Sequence, residues 1–393
     1  MRPASQSGPR FLNPRAPGRY LKRRESLGIA APMKKLRCAL LGATGLAGQQ
    51  FVSALKHHPW FELTQVAASP RSAGKTYREA LKAPNGMMGW FLSEPLPEAI
   101  GEMTVIAGAA LHGADYDLVF SAVESEVAQV LEPKLAADVP VVSAASAFRY
   151  EKDVPLLIPP INPEHLALIE VQRQQRGWKG FIAPIPNCTT TGLAIALAPL
   201  EAAFGVKAVV MTSLQAVSGA GRSPGVIALD IIDNVIPYIA KEEGKVEVET
   251  KKILGTSAIA HSLKVSATCT RVAVIEGHTE TVVVSLGKKA SPFEVAAAMR
   301  EWRGHQWTAG LPSAPPRWLE VSDDPFRPQP RLDRDTHDGM ATSVGRIRED
   351  AVLENGVKFV LVSHNTKMGA AKGAVLLAEL LKARGFLGDR PKV

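Results

Sequence analysis

The chain has 393 residues, is 46% hydrophobic and 21% charged, and carries a formal net charge of +8. That length accommodates two domains with separate cores, and the composition excludes disorder of the whole chain. No apolar run approaches the roughly 20 residues that span a bilayer, which excludes a helical membrane protein. Cys38, Cys188 and Cys269 are odd in number and widely spaced, so neither a disulfide framework nor a metal site is expected, and a reducing, cytoplasmic setting fits.

The positive charge is concentrated at the start. Residues 1–32 hold seven basic side chains against Glu25, a local balance of +6 that leaves only +2 for the rest. A nearly neutral body without a basic stripe is a poor binder of phosphate backbones, so nucleic acid is not expected as a partner. The tail is rich in Arg, Pro, Gly and Ser without periodicity and should be disordered. Its Arg-rich character allows a transit peptide, but Pro and Gly oppose a presequence helix. An upstream extension, with Met33 starting the folded part, fits better.

Residues 36–41, Leu-Arg-Cys-Ala-Leu-Leu, read as a buried parallel strand, with Cys38 in the core. Gly42, Gly45 and Gly48 punctuate the following turn, and a helical run continues to Leu55. Strand, glycine turn and helix together form the phosphate-binding start of a dinucleotide fold. A second strand, 63–68, runs into Ser69, Pro70, Arg71, Ser72, Ala73, Gly74 and Lys75. An acid here would bind the ribose of NAD, whereas a cationic, hydroxyl-rich turn suits the 2′-phosphate of NADP. Further strands are expected at 118–122 and 140–143.

Cys188 lies in Pro186-Asn187-Cys188-Thr189-Thr190-Thr191-Gly192, directly before a run of helical spacing over 193–204. Two readings stand there: a small buried apolar side chain, or a nucleophile whose thiolate is favoured by a helix N-terminus. Asn187 suits the N-cap, or could face a developing oxyanion. Beyond 205 the pattern changes to strands near 207–214, 265–275 and 281–286, with a helix over 227–240 between them. Residues 304–341 are rich in Pro and Arg and suggest an excursion or interface arm. A strand at 358–362 precedes a Gly/Ala-rich helix at 369–383.

Several polar groups in this half resist explanation as packing. Gln215 ends a strand before Ser218, Gly219, Ala220 and Gly221. Glu242 and Lys245 share a helix face, where an exposed ion pair is the simpler reading. Arg149, Arg271 and His278 are each, taken singly, ordinary surface residues.

Together these segments resemble the aspartate-semialdehyde dehydrogenase family, most closely its archaeal and fungal-type branch, over 35–386. The resemblance implies an α/β fold, a Rossmann-type dinucleotide-binding domain plus an α+β catalytic and dimerisation domain. It divides the chain at 33–186, 187–363 and a C-terminal helix, 364–393, packing back on the first domain. It implies Cys188 as nucleophile, His278 as acid/base, Gln215 and Asn187 as positioning groups, and Arg271 on the substrate α-carboxylate. Glu242 would receive the ammonium, and Lys245 and Arg149 the phosphate. Gly42, Thr44, Gly45, Leu46, Ser69, Arg71, Ser72, Ser218, Gly219 and Asn365 would hold NADP. The implied reaction is reductive dephosphorylation of β-aspartyl phosphate in a homodimer or homotetramer, without a metal. A malonyl-CoA reductase on the same fold is the competing reading, which the joint presence of Glu242, Lys245 and Arg149 opposes.

Overall fold

The computed structural model describes residues 34–221 and 225–388; the tail expected to be disordered, 1–32, lies outside the described residues. Six strands, β1 (Leu36–Leu41), β2 (Phe61–Ala68), β3 (Val105–Ala107), β4 (Leu118–Ser121), β5 (Pro140–Ser143) and β6 (Phe181–Pro184), form the first sheet. Its order is β3-β2-β1-β4-β5-β6 with every pair parallel. Parallel strands need crossovers, here including helices α1 (Leu46–Leu55), α2 (Ser125–Ala136) and α3 (Leu168–Arg176). Both faces are therefore covered, which is why residues 38–41 of β1 and 118–120 of β4 are apolar and buried.

The second sheet contains β7 (Val206–Gln215), β8 (Lys264–Arg271), β9 (His278–Leu286), β10 (Leu319–Val321), β11 (Thr342–Asp350) and β12 (Gly356–Ser363). Its order is β10-β11-β12-β9-β7-β8. Because β7 and β8 run parallel, Gln215 and Arg271 end side by side. β9 runs antiparallel to β7 and begins at that same end with His278. Its period-2 alternation buries His278, Glu280, Val282 and Val284 on one face.

Helix α4 (Cys188–Phe204) packs on this sheet against β7, β9, β11 and β12, with every residue from Thr189 to Leu200 buried. Helix α5 (Glu242–Leu254) lies beside it and over β8. Helix α6 (Pro292–Glu301) also packs on α4, and α7 (Lys372–Ala383) returns to α1 and β5 of the first sheet.

Three expectations are corrected. The helix over 227–240 is a single turn, Ala228–Ile231. Pro237 disfavours helical geometry at Ile236, which instead bridges to Arg271. The strand expected at 265–275 stops at Arg271, where the chain turns. Residues 304–341, expected as an excursion or interface arm, are in part built into the second sheet, since they supply β10, paired parallel to β11.

The tight turn after β1 depends on Gly42, which has φ 84°. The amides of Gly42 and Ala43 donate to Ala67 O at the end of β2. A Cβ on Gly42 would lie 2.5 Å from the Ala122 carbonyl oxygen. Gly42→Ala should therefore cost at least about 2 kcal/mol, from left-handed backbone geometry plus this overlap. Denaturant midpoints at unchanged m-value would measure it; an unshifted midpoint would contradict the strain.

Candidate active site

A cleft of about 330 Å³ opens where the carboxyl ends of β1, β4, β5 and β6 face the Gln215–Arg271–His278 end of the second sheet. Leu46, Ser125, Ala144, Arg149, Asn187, Cys188, Ser218, Gly219, Glu242, Lys245, Asn365 and Gly369 are among the residues lining it. Ligands of open parallel sheets collect at this position because the strand ends and helix N-termini converge there.

Cys188 is the first residue of α4, so the helix begins five residues before the run expected over 193–204. Asn187 caps the helix, its Oδ1 accepting from the amides of Thr189 and Thr190 at 2.9 and 3.2 Å. Cys188 Sγ lies 3.2 Å from His278 Nε2. On the other side of the ring, the Ala216 amide donates to His278 Nδ1 at 3.1 Å. A backbone N–H is only ever a donor, so Nδ1 keeps its lone pair and the neutral ring carries its proton on Nε2, facing sulfur. Burial first, then Arg271 and His364, lower the His278 pKa to about 3, so the ring is neutral in the physiological range.

The thiolate expectation is corrected. Burial, followed by the Glu242 carboxylate, pushes the Cys188 thiol up to about 12, against the opposing pull of Arg149, Arg271 and the Thr189 amide. The helix terminus is present as expected, but desolvation of the charged form outweighs it.

The charged groups are mostly paired and buried. Glu242 accepts from Asn187 Nδ2 at 2.7 Å, Lys245 Nζ at 3.1 Å and, weakly, Gln215 Nε2 at 3.4 Å. With Glu242 only 6% exposed, this is no solvated surface pair. Arg149 donates from Nη1 to Glu249 at 3.0 Å and from Nη2 to Ala144 O at 2.9 Å, while its Nε is buried without a partner. Arg271 Nη1 donates to Ala216 O at 2.8 Å. Gly219 and Gly369 are close-packed: a Cβ would lie 2.9 Å from Arg271 Nη1 and 2.7 Å from Cys188 Cβ respectively.

The groups present fit a dinucleotide phosphate. No side chain caps α1, so its first-turn amides remain for an anion beside Leu46 and Ala47 of the cleft. Gly42, Thr44 and Gly45 form the turn that leads into this helix. Ser69, Arg71 and Ser72 follow β2 in a turn starting at Ser69; they lie outside the cleft lining, with Arg71 exposed. Asn365 joins two parts of the wall, accepting from the Gly277 amide at 2.9 Å and donating to Ser218 Oγ at 2.8 Å.

Sequence reasoning missed Glu249, Lys252 and the Ala216 amide. Glu249 accepts from Arg149, from Tyr150 Oη at 3.3 Å and from the Asn187 amide at 2.6 Å. The signal was the 3–4–3 spacing of Glu242, Lys245, Glu249 and Lys252, one face of α5. The Ala216 amide, being backbone, left none. Among the described residues, no cluster of His, Cys, Asp or Glu could hold a metal ion, and no helix is long and apolar enough to cross a membrane.

The chain matches two family models, the semialdehyde dehydrogenase NAD binding domain over 37–169 and the semialdehyde dehydrogenase dimerisation domain over 197–368. It is 46% identical over 346 residues to the aspartate-semialdehyde dehydrogenase of Methanothermobacter thermautotrophicus, covering 87% of this chain and 97% of that protein. The Candida albicans enzyme is 43% identical over 376 residues, 90% of this chain and 100% of that protein. The crystal structure of aspartate-semialdehyde dehydrogenase with NADP from Candida albicans superposes with a TM-score of 0.80 at 41% identity, covering 89% of this chain and 99% of that one. Aspartate-semialdehyde dehydrogenase II from Vibrio cholerae, complexed with ASA, gives 0.70 at 27% identity, covering 89% and 98%.

The buried neutral imidazole has a consequence for stability. Unfolded, His278 takes up a proton near its ordinary value of 6.5; folded, it resists until about 3. The unfolded chain thus binds more protons in between, so stability is lost as pH falls through 6.5 and this loss ends near 3. The slope from this group is at most about 1.4 kcal/mol per pH unit. Chemical unfolding between pH 7 and 4 should show a shallower acid loss in His278→Gln than in wild type. Equal slopes would mean that His278 is charged in the fold.

Proposed function

Because the chain belongs to the aspartate-semialdehyde dehydrogenase family, we propose that it reduces β-aspartyl phosphate to aspartate semialdehyde with NADPH, and runs the reverse, phosphorylating oxidation. The observation that carries this reading is the Cys188–His278 pair at 3.2 Å, set among Glu242, Lys245, Arg149 and Arg271.

Arg271 offers a planar fork to the substrate α-carboxylate. Glu242 takes the ammonium, and Lys245 and Arg149 take the phosphate. An ammonium on Glu242 also offsets the second-largest cause of the raised thiol pKa. Substrate binding thereby eases ionisation of the nucleophile it is about to meet. Cys188 Sγ attacks the acyl carbon, the C–O bond to phosphate breaks, and the thiol proton leaves on hydrogen phosphate, so the thioester forms in balance. Gln215 and Asn187 hold Glu242 in place for this step.

Bound NADPH would supply the hydride that reduces the thioester. His278 Nε2–H donates a hydrogen bond to the oxyanion on the former carbonyl carbon; its collapse breaks the C–S bond, releases the aldehyde, and leaves the Cys188 thiolate to take up the one solvent proton that the reduction consumes. With Nδ1 engaged by Ala216, His278 serves as a fixed donor rather than a base toward the thiol. The uncapped start of α1 and the turn 42–48 suit the pyrophosphate, Ser69, Arg71 and Ser72 the 2′-phosphate, and Ser218, Gly219 and Asn365 the nicotinamide side of the cleft.

We place this activity in the cytoplasm, in aspartate-family biosynthesis of lysine, threonine and methionine, with the chain working as a homodimer or homotetramer. The matched dimerisation domain supports association, as do Ile227, Leu229, Ile232, Val235 and Tyr238, all large, apolar and exposed. The two sheets support a division near 186, with 187–363 as catalytic domain, and the packing of α7 on α1 and β5 supports a C-terminal return to the first.

The test is NADP reduction by aspartate semialdehyde with and without phosphate. Phosphate-dependent turnover is expected; turnover only with malonyl-CoA and NADPH would favour the competing reductase. Cys188→Ser should fold and bind NADP but lose at least about a thousandfold in turnover, since a serine hydroxyl ionises far less readily than even this raised thiol. Residual activity within tenfold of wild type would remove Cys188 from the chemistry.

Wild type should prefer NADP to NAD, and Arg71→Ala should narrow that preference by about tenfold, the worth of one charged hydrogen bond. Equal use of both cofactors by wild type would refute the 2′-phosphate assignment.

A further inference from the structure

Arg149 sits on a chain segment with weak internal support. Its backbone bonds are long: Arg149 N to Ser146 O at 3.4 Å, Glu151 N to Phe148 O at 3.2 Å, and Val154 N to Glu151 O at 3.4 Å. Side chains add to this support: Arg176 and Gln172 hold the far end at Asp153, and Lys252 holds the end at Arg149. From α5 its Nζ donates to the carbonyls of Arg149, Glu151 and Val154 at 2.8, 2.9 and 2.9 Å. An ammonium has three N–H donors, and here each has an acceptor at good distance.

Lys252 stands two helical turns beyond Lys245, on the face that also carries Glu242 and Glu249. The same face therefore pairs with the guanidinium of Arg149 through Glu249 and grips its backbone through Lys252. Arg149 lines the cleft, whereas Glu249 and Lys252 stand behind it and do not.

We propose that Lys252 is a positioning residue for phosphate recognition, fixing the segment 149–154 so that the Arg149 guanidinium points into the cleft. The proposal rests on the phosphate role given to Arg149 above. A lysine with three carbonyl acceptors is a rigid tripod. Without it, the segment keeps its long backbone bonds and the ties of Asp153 to Arg176 and Gln172 and of Tyr150 to Glu249, none of which grips the backbone at Arg149; Arg149 then loses the fixed geometry on which bidentate phosphate recognition depends. The substrate carboxylate and ammonium, held by Arg271 and Glu242 from other elements, should hardly notice.

The experiment measures the oxidative direction with phosphate and aspartate semialdehyde varied, using Lys252→Met, Arg149→Ala and the double variant. Lys252→Met keeps the stem but removes all three donors. Its KM for phosphate should rise by about tenfold or more, from misplacement of the binding group, with KM for the aldehyde within about threefold. In the Arg149→Ala background the same change should add less than about twofold, since the group it positions is gone. A phosphate KM unchanged in Lys252→Met while Arg149→Ala raises it would overturn the proposal and leave the Arg149 assignment intact. So would full additivity in the double variant, or equal loss in both KM values. A phosphate KM unchanged in Arg149→Ala would instead overturn the phosphate assignment, and the positioning role with it. Should Lys252→Met not fold, Lys252→Gln, which retains two donors, decides by the same criteria.

Discussion

Asn187 is the joint on which the site depends. Its amide donates to Glu249, its Nδ2 donates to Glu242, and its Oδ1 caps the amides of Thr189 and Thr190. Its carbonyl accepts from the Thr191 amide and hydroxyl. Every polar atom of one buried residue is thus satisfied, and its bonds divide between the start of α4 and the site face of α5. The end of β6, the start of α4 and the site face of α5 meet here, so the position of Cys188 relative to Glu242 is set by a single side chain. Neither helix alone could set it, since the two carboxylates come from one and the nucleophile from the other.

That joint also explains the charge state of the site. Glu242 and Glu249 are brought close to the nucleophile because Asn187 needs acceptors, and their charge is answered by Lys245 and Arg149. Buried pairs of this sort stabilise little and are costly to break. Their effect here is chemical: with each carboxylate close to its own cation, burial decides the thiol, which stays protonated, and His278, which stays neutral. Reactivity then depends on charges that the substrate brings.

Much of this was legible in the chain because it is local. The apolar run of β1 and the glycines after it define a strand and turn without outside help, and β1 spans 36–41 as expected. Asn187 before Cys188 marks a helix start by capping chemistry alone. Other features depend on distant neighbours. Glu249 and Lys252 look like surface charges of an amphipathic helix until the segment near Arg149, about a hundred residues earlier, is laid against them. The helix expected over 227–240 had suitable apolar spacing, but Pro237 and the bridge from Ile236 to Arg271 prevailed. The thiol was misjudged for a related reason: a helix terminus can be read locally, whereas desolvation is a property of the assembled core.

The two sheets are kept in mutual register by a short stretch that follows β12. Thr366 accepts from Gln50 of α1 at 3.0 Å and donates to Glu276 at 2.6 Å. One residue earlier, Asn365 ties the Gly277 amide to Ser218. Glu276 and Gly277 immediately precede His278, so the helix that follows the glycine turn and the strand that carries the imidazole share one hydrogen-bonded line. Gly369, three residues on from Thr366, then presses against the Cβ of Cys188. A displacement of α1 on this line reaches His278 through two side-chain bonds and no flexible loop. The nucleophile and its donor are therefore held from both sheets at once, and the 3.2 Å separation between them is a property of the whole architecture rather than of either strand.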